Sequence, residues 1–382
     1  MESELSAPLT FKETIQSRLP SSVVTRIQNV LNTMRRGRHT FRMGSTLAKN
    51  RLLKTLFREL VQQRKWQLVG AFSSLQDEEL EKIIQARTSS LKVQQSIEKG
   101  PTVTIVLLSL DRFHLTKTCL DSIYANSDYP FQVLIFDNGS HPDTITQLQK
   151  LESTHENLSI IYHDKNLGVA GGRNAAFSAV TTDYIMCLDN DVICHKGWLR
   201  ELMHCAVAYE ADLVSPMVLA NDGSVWSCGA DLVRVHDDTY IEVYPWFHGW
   251  QPEDVQAIVG EGQFTADFIN GCAGLYRTEV FHACGRFPDY FVGWEDLDFS
   301  LTASQRQITA WVEPKSRITH DHNWEPKVKA DIAYLEERYD IGALQAAASQ
   351  FEERWGIKVF PEKFVVSTQT KVSQKMEMLR ED

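Results

Sequence analysis

Four short apolar segments between residues 102 and 191 decide the fold. They read TVTIVLLSL (102–110), FQVLIFDNGS (131–140), LSIIYHD (158–164) and DYIMCLDND (183–191). Each has the length and the apolar content of a buried strand. The segments between them, LTKTCLDSIYANS, DTITQLQKLES and GGRNAAFSAV, have the character of helices. Strands that alternate with helices predict an α/β fold with a mostly parallel sheet and helices on both faces.

Polar clusters follow these predicted strands. They are FDNGS (136–140), NLGVAGGRN (166–174) and LDND (188–191). In open parallel sheets, ligands bind beyond the carboxyl ends of the strands. We therefore expect the three clusters to meet in one crevice.

The formal charge of this chain of 382 residues differs in sign between its N-terminal part and the remainder. Residues 1–100 carry a formal charge of +8 and residues 101–382 a charge of −19. A Gly-Pro pair at 100–101 interrupts the helical pattern that precedes it. The sequence therefore predicts a basic helical region at 1–100, a catalytic domain at 101–325 and a helical region at 326–382.

The composition is that of a soluble globular protein, with 43% apolar and 23% charged residues. The seven cysteines contain no CxxC pair, so we expect reduced thiols rather than a disulfide framework. No apolar run approaches the ~18 residues that a membrane span needs. These features predict a cytoplasmic protein.

Asp189 and Asp191 are separated by one residue at the end of the fourth predicted strand. Two such carboxylates can hold a divalent cation against a diphosphate, and Mg²⁺ and Mn²⁺ prefer hard oxygen ligands. The alternative is a turn that caps the next helix, because Asp and Asn favour turns. The pair indicates either a metal site or a plain turn.

Asp137 and Arg173 are candidates for contact with a nucleotide. Asp137 in FDNGS either begins an Asn-Gly turn or accepts hydrogen bonds from a base or ribose. The glycines before Arg173 follow GxxGG rather than GxGxxG, which disfavours a hydride-transfer enzyme. They permit close backbone approach near a helix N-terminus, where Arg173 can pair with an anionic or polar group.

Glu295 and Asp296 form an acidic pair in GWEDLDFS (293–300), directly after apolar residues. One of them could act as a general base that deprotonates an acceptor hydroxyl. His320 and His322 follow the strand-like AWVEPKSRIT (310–319). Each histidine is either structural or a metal ligand.

In chain order, the motifs VLLSLDR, FDNGS, NLGVAGGRN, LDND, GWEDLDFS and ITH resemble the inverting GT-A glycosyltransferases of family 2. The resemblance is strongest to the bacterial rhamnosyl- and galactofuranosyltransferase-like branch. It implies a Rossmann-like GT-A fold with N-terminal and C-terminal helical extensions.

The resemblance also implies roles for individual residues on the donor side. Asp137 is similar to the carboxylate that contacts the nucleobase, and Arg173 to its partner on the nucleotide. Asp189 and Asp191 resemble the pair that meets ribose and the metal-bound diphosphate. Asp111, which follows the first strand where the family often has Asn, is expected on the donor side as well.

The remaining roles belong to catalysis, the acceptor and the metal. Asp296 occupies the position of the catalytic base, with Glu295 and Trp294 beside it on the acceptor side. His320 matches a late metal ligand, and His322 is a second candidate. The implied metal ligands are thus Asp189, Asp191, His320 and His322.

The implied activity is sugar transfer from a nucleoside diphosphate sugar, UDP before dTDP or GDP, with Mn²⁺ or Mg²⁺ as cofactor. The acceptor is a hydroxyl of a glycan, a lipid-linked molecule or a protein, and no nucleic-acid partner is expected. The alternatives are a non-enzymatic nucleotide- or carbohydrate-binding protein of this fold and a sugar-nucleotide pyrophosphorylase. The segment VLLSLDRFH (106–114) lacks the glycine-rich signature of a pyrophosphorylase.

Two further features carry open alternatives. Trp246 and Trp250 lie in the aromatic run YPWFHGW (244–250) and either stack on an acceptor sugar or pack in the core. The basic N-terminal region either docks on an anionic membrane surface, a lipid-linked acceptor or another subunit, or is a solvated helical face.

Overall fold

The computed structural model describes residues 100–259, 262–321 and 329–360. The predicted basic helices before residue 100 lie outside the described residues. So do His322 and the chain beyond residue 360.

Within the described residues, ten strands form one mixed sheet in the order β10-β12-β6-β11-β4-β1-β2-β3, with β5 beside β12 and β7 beside β6. The strands are β1 (Val103–Ser109), β2 (Gln132–Asp137), β3 (Leu158–Tyr162), β4 (Tyr184–Asp189), β5 (Val192–Cys194), β6 (Leu213–Leu219), β7 (Val225–Ser227), β10 (Phe264–Ala266), β11 (Ala273–Arg277) and β12 (Ala310–His320). A separate hairpin contains β8 (Ala230–Val235) and β9 (Tyr240–Pro245).

The sheet is mostly parallel, as predicted. β3, β2, β1 and β4 pair in parallel in this order. β11 is antiparallel to β4 and to β6, so β6 runs in the same direction as β4, and β12 pairs in parallel with β6. The four apolar segments of the sequence are the strands β1 to β4, and the α/β fold class is confirmed.

The helices that the structure describes are α1 (Phe113–Asn126), α2 (Pro142–Glu152), α3 (Gly168–Ser178), α4 (Trp198–Ala208), α5 (Pro252–Val259), α6 (Thr278–Cys284), α7 (Glu295–Gln305), α8 (Lys329–Arg338) and α9 (Ile341–Trp355). Among these described elements, none is long and apolar enough to cross a membrane.

Alternate side chains of β1 enter two different hydrophobic cores. Val103, Ile105 and Leu107 pack with residues of α1, α2 and α4. Val106 packs on the other side of the sheet with residues of α3, α6 and α7, including Phe177. Successive side chains of a strand point to opposite faces, so a strand that is apolar on both faces needs helices on both. Full burial of one such aliphatic side chain contributes about 1.5–3 kcal/mol.

The described part of the C-terminal region contains the two helices α8 and α9. The helical pattern of residues 333–355 is interrupted at Asp340, whose carboxylate accepts a hydrogen bond from the Ala343 N–H at 2.7 Å and begins α9. Leu344, Ala347 and Phe351 then form one buried stripe. This stripe packs against the segment that leads into α7, which ties the C-terminal end of the described chain to the acidic motif.

Candidate functional site

A cleft opens beyond the carboxyl ends of β1, β2 and β4. Asn138 after β2, Asn166 before α3, Asn190 after β4 and His320 at the end of β12 all line it. Residues 270–272, residues 291–292 and parts of α7 and α8 also line it. The polar clusters of the sequence therefore meet at the edge of the sheet where a ligand is expected.

Asp189, Asp191 and His320 form a cluster that could hold a metal ion. β5 pairs with the end of β12 and places Val192 opposite His320, and the Asp321 N–H donates to the Asp191 carbonyl at 2.8 Å. The His320 Nε2 atom lies 3.1 Å from Asp191 Oδ1 and 3.8 Å from Asp189 Oδ2. One ligand atom from each residue lies within 4.8 Å of the other two. Two carboxylates and an imidazole are common ligands of divalent cations.

Arg173 of α3 joins this cluster to the second acidic motif. Its Nη2 atom is 2.5 Å from Asp189 Oδ1, and its Nη1 atom is 2.8 Å from Glu295 Oε1. The guanidinium is almost fully buried, at 3% exposure. Both terminal nitrogens are therefore bonded to carboxylates of the protein, and Arg173 bridges β4 and α7 where the sequence suggested contact with a nucleotide. The forked geometry of arginine suits such a bridge better than the single ammonium of lysine.

Asp296 lies in the first turn of α7 and faces the cleft. Its carboxylate accepts hydrogen bonds from the backbone N–H of Gly271 at 3.1 Å and of Leu297 at 2.8 Å. Burial, and after it the charge of Glu295, raises the pKa of Asp296 to about 7. A carboxylate with such a pKa can accept a proton near neutral pH.

Gly271 makes room for this arrangement. A Cβ atom at this position would lie 3.0 Å from Asp296 Oδ2 and 3.2 Å from Arg173 Nη1. Both distances are shorter than ordinary contacts, so a side chain at Gly271 would displace one of the two groups.

Asp298, the third carboxylate of α7, is fully buried and faces away from the cleft. It accepts hydrogen bonds from the Tyr290 hydroxyl at 2.8 Å and from Trp355 Nε1 at 2.6 Å. Arg354 Nε lies 3.3 Å from its other oxygen. Asp298 thus fastens α7 to α9 and to the segment before α7.

The glycine-rich segment packs tightly against the residues before α7. Gly168 has a φ of +73°, and a Cβ there would lie 2.4 Å from the Phe291 carbonyl oxygen. The Val169 N–H donates to that oxygen at 2.9 Å. Asn138 holds the same segment from the other side, since its Oδ1 accepts the Leu167 N–H at 3.0 Å. Only glycine combines this φ with this close approach.

Asp137 and Asp111 do not line the cleft. Asp137 is completely buried, its Oδ2 accepts the Ser140 N–H at 3.3 Å, and no donor among the described residues reaches its Oδ1. Burial raises the pKa of Asp137. Asp111 accepts the His141 N–H at 2.9 Å, and its own N–H donates to the Ser140 hydroxyl. Both carboxylates hold the loops after β1 and β2, and Asn138 is the residue of FDNGS that lines the cleft.

The three tryptophans expected near the acceptor also lie outside the cleft lining. Trp294 has a φ of +60° at the start of α7 and packs in the core beside α9. Trp246 packs on Phe264, with ring centroids 5.6 Å apart. Trp250 packs edge-on against Phe247. The structure brings together the acidic motifs and His320 but does not bring these aromatic side chains to them.

Several residues that line the cleft were not singled out from the sequence. Asn138 and Arg112 are the direct neighbours of Asp137 and Asp111, so the motifs indicated the loops that line the cleft. Phe291, with 38% exposure, lies in the segment before GWEDLDFS. Asn270, Gly271 and Cys272 lie just before β11 and also line the cleft. Tyr334, Glu337 and Arg338 belong to α8, and no sequence motif indicated that this helix reaches the site.

Residues 104–283 match the family Glycosyl transferase family 2. A pre-mycofactocin glycosyltransferase of Mycobacterium tuberculosis is 22% identical over 191 residues, which cover 50% of this chain and 37% of that protein. An O-antigen chain rhamnosyltransferase of Salmonella anatum is 24% identical over 237 residues, which cover 60% of this chain and 67% of that protein. Among solved structures, GalNAc-T7 with UDP, GalNAc and Mn²⁺ aligns with a TM-score of 0.48 and 13% identity, over 59% of this chain and 44% of that one.

The family match confirms the resemblance to family 2 that was inferred from the motifs. It covers β1 to α6 and ends before the Glu295–Asp296 pair. The chain spans little more than a third of the length of the mycobacterial relative.

Proposed function

We propose that this protein is a metal-dependent, inverting glycosyltransferase, because residues 104–283 match Glycosyl transferase family 2. The donor is a nucleoside diphosphate sugar, with UDP the first candidate for the nucleotide. The acceptor is a hydroxyl group of a glycan, a lipid-linked molecule or a protein.

The juxtaposition of two acidic motifs in one cleft carries this proposal. Asp189, Asp191 and His320 stand close enough to share one cation. Arg173 joins Asp189 to Glu295, the direct neighbour of Asp296. A metal-binding cluster and a carboxylate with a raised pKa therefore face the same space, as a single-displacement transfer requires.

The leaving group would be stabilised on the β4 side of the cleft. Asp189, Asp191 and His320 would hold Mn²⁺ or Mg²⁺, and such a cation, when bound, neutralises charge that develops on the departing diphosphate. Arg173 keeps Asp189 oriented through their hydrogen bond. A turn after β4 would account for Asp189 and Asp191 but not for His320, which comes from the distant strand β12. A metal site accounts for all three residues.

Proton transfer would occur on the α7 side. Asp296 would accept the proton of the acceptor hydroxyl as that oxygen attacks the anomeric carbon, opposite the bond to the diphosphate. The product then has the inverted configuration. Glu295 is bonded to Arg173 and does not compete for this role, but its negative charge raises the pKa of Asp296.

An assay with purified protein tests the proposal. Sugars activated by UDP, dTDP and GDP are supplied with Mn²⁺, with and without candidate acceptors, and release of nucleotide is followed. We expect release that depends on the metal, rises with acceptor and gives an inverted anomeric centre by NMR. Formation of nucleotide sugar from nucleoside triphosphate and sugar phosphate would instead indicate a pyrophosphorylase. Binding without any release would indicate a binding protein.

We propose in addition that the basic region before residue 100 binds an anionic membrane surface or another copy of the chain. It carries a charge of +8, and each Lys or Arg near an anionic surface contributes about 1 kcal/mol. We expect the full chain to sediment with anionic vesicles at low salt and to be released at high salt. Equal sedimentation with neutral vesicles, together with a monomeric mass in solution, would contradict both forms of this extension.

A further inference from the structure

Helix α8 supplies a wall of the cleft that no sequence motif indicated. Tyr334 and Arg338 line the cleft, as does Glu337. Asp331, Tyr334 and Arg338 follow one another at intervals of three and four residues, so they share one face of the helix. Leu335 and Tyr339 are buried on the adjacent face. The rotation of the helix about its own axis is therefore fixed, and its polar residues point towards the loops that follow the strands.

An ion pair fastens this wall to the loop after β1. Arg112 Nε lies 2.6 Å from Asp331 Oδ1, and both side chains are buried, with 8% and 2% exposure. The Arg112 guanidinium also lies 4.7 Å from the centre of the Tyr334 ring. Arg112 and the preceding Asp111 both have positive φ values, of +46° and +48°, which non-glycine residues rarely adopt. The loop is held in a strained conformation that presents Arg112 to α8.

The cations of the cleft differ in their partners. Arg173 is bonded to Asp189 and Glu295, and Arg112 is bonded to Asp331. Within the described part of the chain, the hydrogen-bond partner of Arg338 is instead the side chain of Tyr339 rather than a carboxylate. Arg338 stands at the C-terminal end of α8 and lines the cleft. Proximity to Tyr334, and after it to Tyr339, Asp189 and Asp191, raises the pKa of Arg338 against the opposing effect of burial, so its guanidinium stays charged.

We propose that Arg338 is a donor-binding residue that contacts the diphosphate, and that the Arg112–Asp331 pair positions it by holding α8 over the cleft. This inference rests on the proposed function and assigns a ligand to the α8 wall. A nucleoside diphosphate beside Asp189 and Asp191 needs positive charge on the side that the cation does not reach. A guanidinium offers forked donors that match phosphate oxygens.

The same contact would assist the reaction. The bond from the anomeric carbon to the diphosphate oxygen breaks, the bond from that carbon to the acceptor oxygen forms, and the acceptor proton passes to Asp296. The electron pair of the broken bond remains on the diphosphate. Arg338 would stabilise this charge more in the transition state than in the bound donor.

Calorimetric titration of the full chain in the presence of Mn²⁺ tests the inference. The ligands are inorganic pyrophosphate, which has no base, and UDP, GDP and dTDP. Arg338→Gln should weaken the binding of pyrophosphate and of the preferred nucleotide by about tenfold to a hundredfold, the range for loss of a hydrogen bond to a charged group. Arg338→Lys keeps the charge without the fork and should show an intermediate loss. Arg234→Gln, on the exposed part of β8, is the matched control and should bind like the wild type.

Unchanged affinity of both Arg338 variants for pyrophosphate and for the nucleotide would overturn the inference. If Arg338→Gln does not fold, as judged by its circular dichroism melt, the comparison of Arg338→Lys with the wild type decides between the same two outcomes. Failure of the proposed function looks different, because wild-type protein would then bind pyrophosphate through Arg338 yet release no nucleotide from any sugar donor.

Discussion

The end of β4 and the start of α7 each place two acidic residues at the same cleft, but their surroundings differ. Asp189 and Asp191 stand beside His320, and Asp189 is also bonded to Arg173. Within the described ranges, Asp296 accepts hydrogen bonds from backbone N–H groups alone, and its neighbour Glu295 pairs with the nearby guanidinium. Residue type is almost the same in the two regions. The difference teaches that the partners of a carboxylate, rather than its presence, decide whether it suits a cation or a proton.

The largest effect is expected at Asp296. Asp296→Asn removes the proposed proton acceptor and should lower kcat by about 10²–10⁴-fold. Affinity for the nucleotide should stay near that of the wild type, because the metal cluster is intact. Steady-state kinetics and calorimetry measure the two quantities. Asp289→Asn, an exposed carboxylate of the preceding segment, is the control. A kcat near that of the wild type in Asp296→Asn would show that another residue is the general base.

Asp298 sharpens the comparison, because it belongs to the same helix but not to the cleft. Asp298→Ala leaves the Tyr290 hydroxyl and Trp355 Nε1 without their acceptor, and each unpaired donor costs about 1–3 kcal/mol. We expect the free energy of unfolding to fall by about 2–4 kcal/mol in urea titrations. Asp289→Ala should leave it unchanged. A loss below ~1 kcal/mol would mean that water or a neighbouring group replaces the carboxylate.

Asp191 tests the other half of the comparison. Asp191→Asn removes one charged ligand from the proposed cation site. It should lower the affinity for the nucleotide in the presence of Mn²⁺ by roughly 10–100-fold, because the loss of an outer-shell partner of a metal ligand already has an effect of that size. The exposed Asp164 provides the control as Asp164→Asn. EDTA should produce a similar loss in the wild type. Nucleotide binding that ignores both EDTA and the substitution would refute the metal part of the proposal.

The smallest expected effect is a dependence on pH. The folded pKa of Asp296 is raised to about 7, so its carboxylate form is dominant above that pH and is lost as the pH falls below it. The value of kcat/KM should therefore fall about tenfold per pH unit below 7. The residual kcat/KM of Asp296→Asn should not fall in this way below pH 7. The same fall in that variant would show that another group titrates.

The donor half of the fold could be predicted because its signals are local. β1 to β4 are apolar runs of strand length, and the polar residues after them lie at strand ends whatever the sheet order. The pairs Asp189–Asp191 and Glu295–Asp296 were found for the same reason. The aromatic run at 244–250 left two alternatives open, because an apolar segment of this kind stacks on sugars in one context and fills a core in another. Trp246 and Trp250 pack on their own neighbours Phe264 and Phe247.

The contacts that unite the site are long-range. Arg173 meets Glu295 across 122 positions of sequence, and Arg112 meets Asp331 across 219. Neither pair has a spacing that a periodic pattern could indicate. The orientation of the Asp137 side chain could not be inferred from the sequence either, since a carboxylate at a strand end can face either a ligand or the loop beneath it.

The sequence by itself determined the alternating α/β architecture, the edge of the sheet where the cleft opens, and the residues that form its two acidic motifs. Hydrophobic periodicity and strand ends are local properties, so they can be inferred without knowing what packs against them. Only the tertiary structure decided that Arg173 bridges these motifs, that Glu295 rather than Asp296 pairs with the guanidinium, and that α8 brings Arg338 to the cleft. Those outcomes depend on which distant side chains become neighbours, and the burial and charge of neighbours set the chemistry of each group.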